Sequence, residues 1–586
     1  MPTPEPGPPI LGLDLGTSTC LACVIHEGKP LFVRPDLHYE GFKLDRPAYP
    51  SEVMPSAFWH QHGTSLVGHR ALEKQKDPAS ARDIAFAVKQ AMHLDEEGGR
   101  LITLGGRPFR PSQILSEYVH VLVHAAELEL DLKRGTIKKA VVTVPAGFGE
   151  LAQKATIRAC TEFGPLREVE LVDEPVAAAY SLGLHEHPSR LRVLIVDIGG
   201  GTFDLTLWDV GRGVGPLGFR ELGRGGDTRL GGLSWDKEIA DSALRGLRPR
   251  LPRDGQERLL HDLYDYGHTR LFRACEDAKL IASLQMKRNA LADPLRPLDH
   301  RLISPLAVSF RSTHEEGADD LSVDVPSGTF LTINERLLGQ CDVVCDRLFG
   351  DVAVLLKRER FGWADVDRVY LAGGGSRLPA VQRRFAERWG KAPLLDDDPQ
   401  HSVAKGAAML AELWRQGTSL PGVIGRTRYA RNLGVLVWPH GRDGEPKFYT
   451  VIPRNVELPF NMSRTFPVRG GTAIRRVEIQ FAEQENHHDK ADYVDLITLA
   501  LEDPPPAPAA DQNETARVTI RCGLNPSPTF HIEFRDTSIS GALDQHVRRE
   551  RAGSPRDGRT PPPTYGTADA HADRPGPNGF RKEPTR

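Results

Sequence analysis

Two aspartates occupy matching places beside glycine turns: Asp14 in "LGLDLGTSTC" and Asp197 in "LIVDIGGGTFDLTLW", where Asp204 follows soon after Thr202. Glycines permit a tight hairpin and leave no Cβ in the way, so successive backbone N–H groups can approach phosphate oxygens. Carboxylates beside a bare polyphosphate would repel it. They make sense with a hard cation between the charges, and magnesium fits, because it keeps several waters and is held through them by a few carboxylates. Either loop taken singly is equally compatible with an ordinary hairpin; the pairing carries the reading. A third glycine turn, Gly373, Gly374 and Gly375 in "VYLAGGGSRLPAVQRRF", leads into a helix signal at Pro379. A nucleotide could lie against that backbone and the helix's first amides. A strand-to-helix turn that needs glycine only for its geometry is the alternative.

The elements around these residues repeat. "PPILGLDLGTSTCLACVI" and "LRVLIVDIGGGTFDLTLWDV" share one grammar of apolar strand, Asp, glycine turn with Thr, and alternating strand. Such self-similarity predicts duplicated halves facing one another. At 586 residues the chain exceeds one core, and about 100 to 200 residues per domain predicts three or more units. The 39% hydrophobic and 26% charged shares fit globular protein. A formal net charge of −3 gives no global attraction to nucleic acid or to acidic membranes, and neither is expected as a partner. No secretory leader pattern and no membrane-length apolar run are present, so the expected compartment is the cytoplasm.

Seven cysteines in so long a chain do not form a disulfide scaffold. Cys20 and Cys23 fall in an alternating strand that sends positions three apart to opposite faces, which argues against a shared metal. Cys341 and Cys345, four apart in a predicted helix, read as small buried side chains.

After about residue 415 the character changes. Residues 416–430 read as a connector rich in Gly, Pro and basic residues. "LGVLVW", "KFYTVI", "RRVEIQFAEQ", "YVDLITLAL", "ARVTIRCGL" and "TFHIEFRD" then alternate between turn clusters, predicting a compact β-sandwich over 431–541. His487 and His488 read as a solvated turn. Residues 542–586 are rich in Pro, Gly and charge and are expected to be a disordered tail.

Eight strings occur in a telling order: "GLDLGTSTC", "FAVKQAMHL", "AVVTVPAGFGELAQKAT", "LVDEPVAAAYSLGL", "VDIGGGTFDLTLWDV", "GGDTRLGG", "ACEDAKLIAS" and "LAGGGSRLPAVQ". Through most of residues 9–540 the chain resembles the Hsp70 (DnaK-like) chaperone family, within the actin, hexokinase and Hsp70 ATPase superfamily. The resemblance implies a duplicated two-lobed α/β ATPase domain over 1–415 with ATP or ADP and Mg2+ in its cleft. The β-sandwich, by the same resemblance, binds clients.

Residue roles follow from the resemblance, position by position. Asp14 and Asp197 match the carboxylates that hold the hydrated metal, and Asp204 lies beside the attacking water. Lys89 in "FAVKQ" resembles the lysine that orients that water, and Glu174 in "VDEP" the glutamate near the metal's shell. Thr17 and Thr202 resemble the phosphate-loop threonines, with Thr202 near the γ-phosphate. Further nucleotide contacts are implied at Gly16, Ser18, Gly199, Gly200, Gly201 and Gly226. Glu276, Lys279 and Ser283, on one helical face by spacing, match the adenosine platform, opposite Gly373, Gly374, Gly375 and Arg377. Without the resemblance, Lys89 is an ordinary solvated helix lysine and Glu276 with Lys279 a routine surface pair.

The chain also departs from the family pattern. Leu280 stands where an arginine follows the lysine, Gln400 where an acid is common, and Gly147 and Gly149 where "VPAYFN" has Tyr and Asn; Pro145 is kept. The helical lid is not recognisable, so bound peptide is expected to leave quickly; the leucine-rich linker is not recognisable either, so the allosteric coupling between the domains is expected to differ from the family's. The implied function is an ATP-dependent chaperone for unfolded or partly folded segments, working with a J-domain protein and a nucleotide exchange factor. A scaffold for one dedicated partner with a slow ATP switch is the alternative, and a small-molecule kinase of the same superfamily a third.

Overall fold

The computed structural model describes residues 7–35, 52–76, 80, 83–95, 99, 101–214, 218–247, 249, 270–289, 303–311, 320–395, 398–420, 431–437, 447–456, 460–469, 476–484, 492–501, 515–524, 532–540 and 547–551. Most of the expected linker, the His487–His488 turn and the tail beyond 551 lie outside them.

The first lobe is built on β1 (Leu11–Leu15), β2 (Thr19–His26), β3 (Lys29–Phe32), β4 (Lys139–Val144) and β5 (Glu168–Asp173), in the order β5-β4-β1-β2-β3. The strand β4 reads KAVVTV and is buried from Ala140 onward, the β-branched run expected of a parallel strand covered on both faces. Strands β1, β4 and β5 are parallel, with Asp14 level with Thr143 and Val144 level with Asp173. Asp14 and Asp173 thus reach the carboxyl ends of parallel strands, where α/β sheets present ligand sites.

The second lobe repeats this plan. Its strands β6 (Leu191–Ile198), β7 (Phe203–Val210), β8 (Phe219–Asp227), β9 (Arg368–Ala372) and β10 (Leu394–Leu395) run in the order β8-β7-β6-β9-β10. Asp197 on β6 pairs with Asp204 on antiparallel β7 and with Ala372 on parallel β9. Asp197 therefore stands in the second sheet where Asp14 stands in the first.

The longer helices among the described residues are α1 (Pro111–Glu129), α2 (Glu150–Thr161), α3 (Glu174–Ser181), α4 (Gly232–Leu247), α5 (Arg270–Asn289), α6 (Ser327–Leu355), α7 (Pro379–Trp389) and α8 (Ser402–Arg415). Alanines of α3 and α8 join Val141 and Val172 of the first sheet to Val193 and Ile195 of the second in one buried cluster. Short side chains let these elements approach closely, so the lobes share a dry base below the two aspartates. Each lobe has a further core of its own. Cys20 and Cys23 fall in different clusters, as strand alternation demands, and Cys341 and Cys345 are both buried in one.

A three-stranded sheet of Ala57–Gln61, Thr64–Val67 and Ile84–Phe86 extends the first lobe and delivers the chain into a 3-10 helix, Val88–Leu94. Among the described residues no helix is long and apolar enough to cross a membrane.

The C-terminal strands are β11 (Asn432–Val437), β12 (Lys447–Ile452), β13 (Phe460–Arg469), β14 (Arg476–Gln484), β15 (Asp492–Leu501), β16 (Thr515–Leu524), β17 (Ile532–Ser540) and β18 (Val547–Arg551). They form two antiparallel sheets, ordered β12-β11-β14-β15-β18 and β13-β16-β17. The sequence reading lacks β13 and β18. Strand pairing reaches Arg551 through β18, so the segment expected as tail from 542 contains a strand.

Candidate active site

The two aspartate hairpins face one another across the lobes. A Cβ added to Gly200 would overlap Ser18 Oγ, and Gln90 Nε2 donates to the Gly201 carbonyl at 3.3 Å. Only glycine permits this closeness. Beneath the second loop, the amides of Gly232 and Leu233 donate to the carbonyls of Gly199 and Gly200 at 3.0 and 2.7 Å. Thr17 and Thr202 are buried at this junction, and Gly226 pairs with Asp204 in the β7–β8 register.

Behind the loops lies a buried acidic group. Thr143 Oγ1 donates to Asp14 Oδ1 at 3.1 Å. Burial, then the Glu174 charge, pushes the Asp14 carboxyl up to about 7, against the pull of Lys89 and Thr143. Asp197 is pushed well above the usual carboxylate range by burial and then by Glu174, Asp204 and Asp14. The Gly147 amide donates to Asp204 Oδ1 at 3.2 Å, so the departure at Gly147 still furnishes a backbone donor there.

Lys89 enters this group from the 3-10 helix. Ala87, just before it, adopts φ 50°, a left-handed conformation that costs an alanine about 1–2 kcal/mol. Lys89 Nζ donates to Glu174 Oε1 at 2.6 Å, with side chains 5% and 8% exposed. Burial pulls the ammonium's pKa down, but Glu174 and Asp14 outweigh it and the net shift is upward. Lys89 is therefore a buried cation, unlike the solvated lysine that spacing alone suggests.

The third glycine turn clears the space beside Asp197. Gly373 has φ 76°, and a Cβ there would overlap Asp197 Oδ1. Gly374 opens on free space, and Gly375 abuts Ile198. Arg377 ion-pairs with Asp398.

Helix α5 contributes unequally. Glu276 lines a cleft with Thr17, Ser18, Phe272 and Arg273, and pairs with Arg273 at 2.7 Å. Lys279 Nζ instead reaches Asp236 at 2.8 Å and the Gly232 carbonyl at 3.1 Å, below the second hairpin. Ser283 is half-buried one turn further on. Gln400 Nε2 donates to Thr19 Oγ1 at 3.2 Å, tying the second lobe to the first hairpin. Thr143, Asp236 and the Gly147 amide are contacts the sequence reading misses. Only Thr143, at a strand end two residues before Pro145, carries a positional signal.

The donor set suits a hydrated divalent cation with a polyphosphate. Four acids, Asp14, Glu174, Asp197 and Asp204, interact in a buried space that holds Lys89, and added positive charge would relieve their mutual repulsion. Among the described residues no three His, Cys, Asp or Glu side chains close into a direct metal-holding cluster. Mg2+ keeps several of its waters and can be held through them by a few carboxylates, which suits this acid set. The glycine cradle supplies the bare backbone that phosphates need.

A model of the Hsp70 protein family matches residues 10–548. The chain belongs to the Hsp70 family. The chaperone protein DnaK of Metamycoplasma hominis is 28% identical over 569 residues, covering 94% of this chain and 83% of the relative. DnaK of Thermus thermophilus is 29% identical over 547 residues, covering 90% and 78%. DnaK of Cenarchaeum symbiosum is 29% identical over 501 residues, covering 85% and 67%. This divergent Hsp70 is an Hsp70-type chaperone, of a family of ATPases that bind ATP and ADP and act on unfolded proteins. Its mixed α/β lobes fit the actin-like ATPase fold of that family.

Proposed function

We propose that this Hsp70 hydrolyses ATP in a Mg2+-dependent manner at the junction of the two aspartate hairpins, in the cytoplasm. The observation that carries the reading is the buried Lys89–Glu174 pair set against Asp14, Asp197 and Asp204. Phosphoryl transfer asks a protein for positioning and charge stabilisation more than for covalent chemistry. Mg2+, held through water by Asp14 and Asp197, would neutralise charge on the phosphate oxygens.

The chain's own groups do the rest. Glu174 fixes the Lys89 ammonium, which orients the attacking water, and Asp204 lies beside that water. Gly16, Thr17 and Ser18 face Gly199, Gly200, Gly201 and Thr202 and offer backbone and hydroxyl groups to the phosphates, with Gly226 adjoining. Gly373, Gly374, Gly375 and Arg377 border the nucleoside from one side. Glu276 and Ser283 border it from the other, while Lys279 acts by holding Asp236 and the loop at Gly232.

The proposed organisation is an ATPase domain over 1–415, a linker over 416–430 and a client-binding β-sandwich from 431 through its last strand at 551, followed by a tail. An extended peptide would bind there through main-chain hydrogen bonds, and J-domain and nucleotide-exchange partners would tune the cycle. The test is single-turnover hydrolysis with and without Mg2+, for wild type and Lys89→Ala. Metal-dependent turnover that collapses in the variant is expected. Equal rates in both proteins would remove the assignment.

A further inference from the structure

Three buried charges lie just behind this site. Arg224, on β8 of the second lobe, donates from Nε and Nη2 to Glu221 at 2.5 and 2.7 Å. Its Nη1 donates to Asp173 of the first lobe. None of the three side chains is more than 3% exposed. Well-packed apolar groups commonly match or exceed the stability of such a buried ionic triad, so folding energy alone does not account for it.

Its geometry does have a use. Asp173 ends β5, and the next residue, Glu174, begins α3 and holds Lys89 at 2.6 Å. The two-point grip on Glu221 fixes the guanidinium plane, so Nη1 meets Asp173 in one orientation. We infer that Arg224 is a positioning residue for ATP hydrolysis: across the lobe boundary it fixes Asp173, and thereby the direction from which Glu174 presents Lys89. The inference rests on the hydrolysis reading above.

A second tether steadies Arg224 itself. Its backbone amide donates to Asn455 Oδ1 at 3.1 Å, just past β12 of the C-terminal region. Asn455 Nδ2 in turn donates to Asp351 Oδ2 on α6 at 2.7 Å, and Arg454 Nε lies 2.9 Å from the same oxygen. Asn455 has φ 61°, a conformation asparagine tolerates better than most residues. The C-terminal region is thus fastened to the strand that carries Arg224, and through it to the residue preceding Glu174.

The test uses the full-length protein and three variants, read by single-turnover hydrolysis at saturating ATP and by equilibrium nucleotide affinity. Arg224→Lys keeps a charge but cannot make the planar two-point grip. Its hydrolysis rate is expected to fall about tenfold while affinity changes by less than about threefold, the signature of a lost transition-state arrangement. Asp173→Asn should fall in the same direction. Asn455→Ala, which leaves the triad intact, should lower the rate by about two- to threefold. Wild-type rates in Arg224→Lys and Asp173→Asn, with only the melting temperature lowered, would show a merely structural role and overturn the inference. If Arg224→Lys does not fold, Asp173→Asn and Asn455→Ala decide by the same criterion. A wild type that does not turn over ATP overturns the hydrolysis reading and this role with it; an active wild type with indifferent variants overturns this role alone.

Discussion

Lys89 is the residue on which chemistry and environment agree most closely. An ammonium at 5% exposure must have its charge met, and Glu174 meets it at 2.6 Å. If Lys89 acts on the attacking water as proposed, Lys89→Ala is expected to lower single-turnover hydrolysis by about a hundredfold or more while nucleotide affinity moves little, the pattern of an interaction made only at the transition state. A rate-and-affinity pair measured on one preparation checks this. Gly373→Ala should act the other way, on affinity. Its Cβ would overlap Asp197 Oδ1 at a φ of 76°, so the turn must shift, and nucleotide binding by calorimetry should weaken severalfold or more. Asp14 and Asp197 were legible in the sequence because the same short grammar surrounds each. The burial of Lys89 was not, since its partner lies 85 residues away and only the folded lobe brings Glu174 to it.

Elements divide along the same line. The duplication was legible in outline, because an apolar strand, a glycine turn and an alternating strand occur twice; the order of strands in each sheet was not. The strands β11, β12 and β14 to β17 followed from period-two alternation. The strand β13 escaped, since "FNMSRTFPVR" mixes polar residues with Pro467, and proline inside a strand argues against one on sequence grounds. Helix α5 shows a subtler limit. Spacing correctly places Glu276, Lys279 and Ser283 along one face, but the acid that captures Lys279 comes from α4, and no local pattern names it. That acid, Asp236, carries a pH prediction. Burial raises its carboxyl to about 6 from the ordinary 3.8, although Lys279 draws it downward. The folded protein therefore holds this proton more tightly than the unfolded chain between about pH 4 and 6. Its contribution is present below that window and declines as pH rises through it, by up to about 3 kcal/mol, and is flat above. Denaturant midpoints of wild type and Asp236→Asn should diverge from about pH 4 to 6, with wild type losing ground. Parallel midpoints across that range would refute it.

At the scale of the molecule, the lobes are tied at two levels. The cluster formed by α3, α8 and both sheets closes the base, while the hairpins, Gln90, Gly147 and Gln400 make polar contacts across the cleft above it. The base is apolar and independent of ligand. The upper contacts surround carboxylates that burial and mutual repulsion hold at raised pKa, so charge supplied there should tighten the upper contacts more than the base. ATP with Mg2+ is therefore expected to raise the melting temperature, and at about a hundred times the dissociation constant the linkage amounts to about 2.7 kcal/mol. ATP with a chelator should give a much smaller shift, because the polyphosphate then meets the acids without a cation between them. Asp14→Asn with Asp197→Asn reverses the logic: with repulsion removed, the free protein should be at least as stable as wild type, yet the Mg2+-dependent part of the shift should vanish. A scanning-calorimetry series on both proteins, each free, with ATP and Mg2+, and with ATP and a chelator, separates the two effects. Retention of a full Mg2+-dependent shift in the double variant would mean that the cation is held by groups other than the paired hairpins, and that the symmetry of the two lobes is not what binds it.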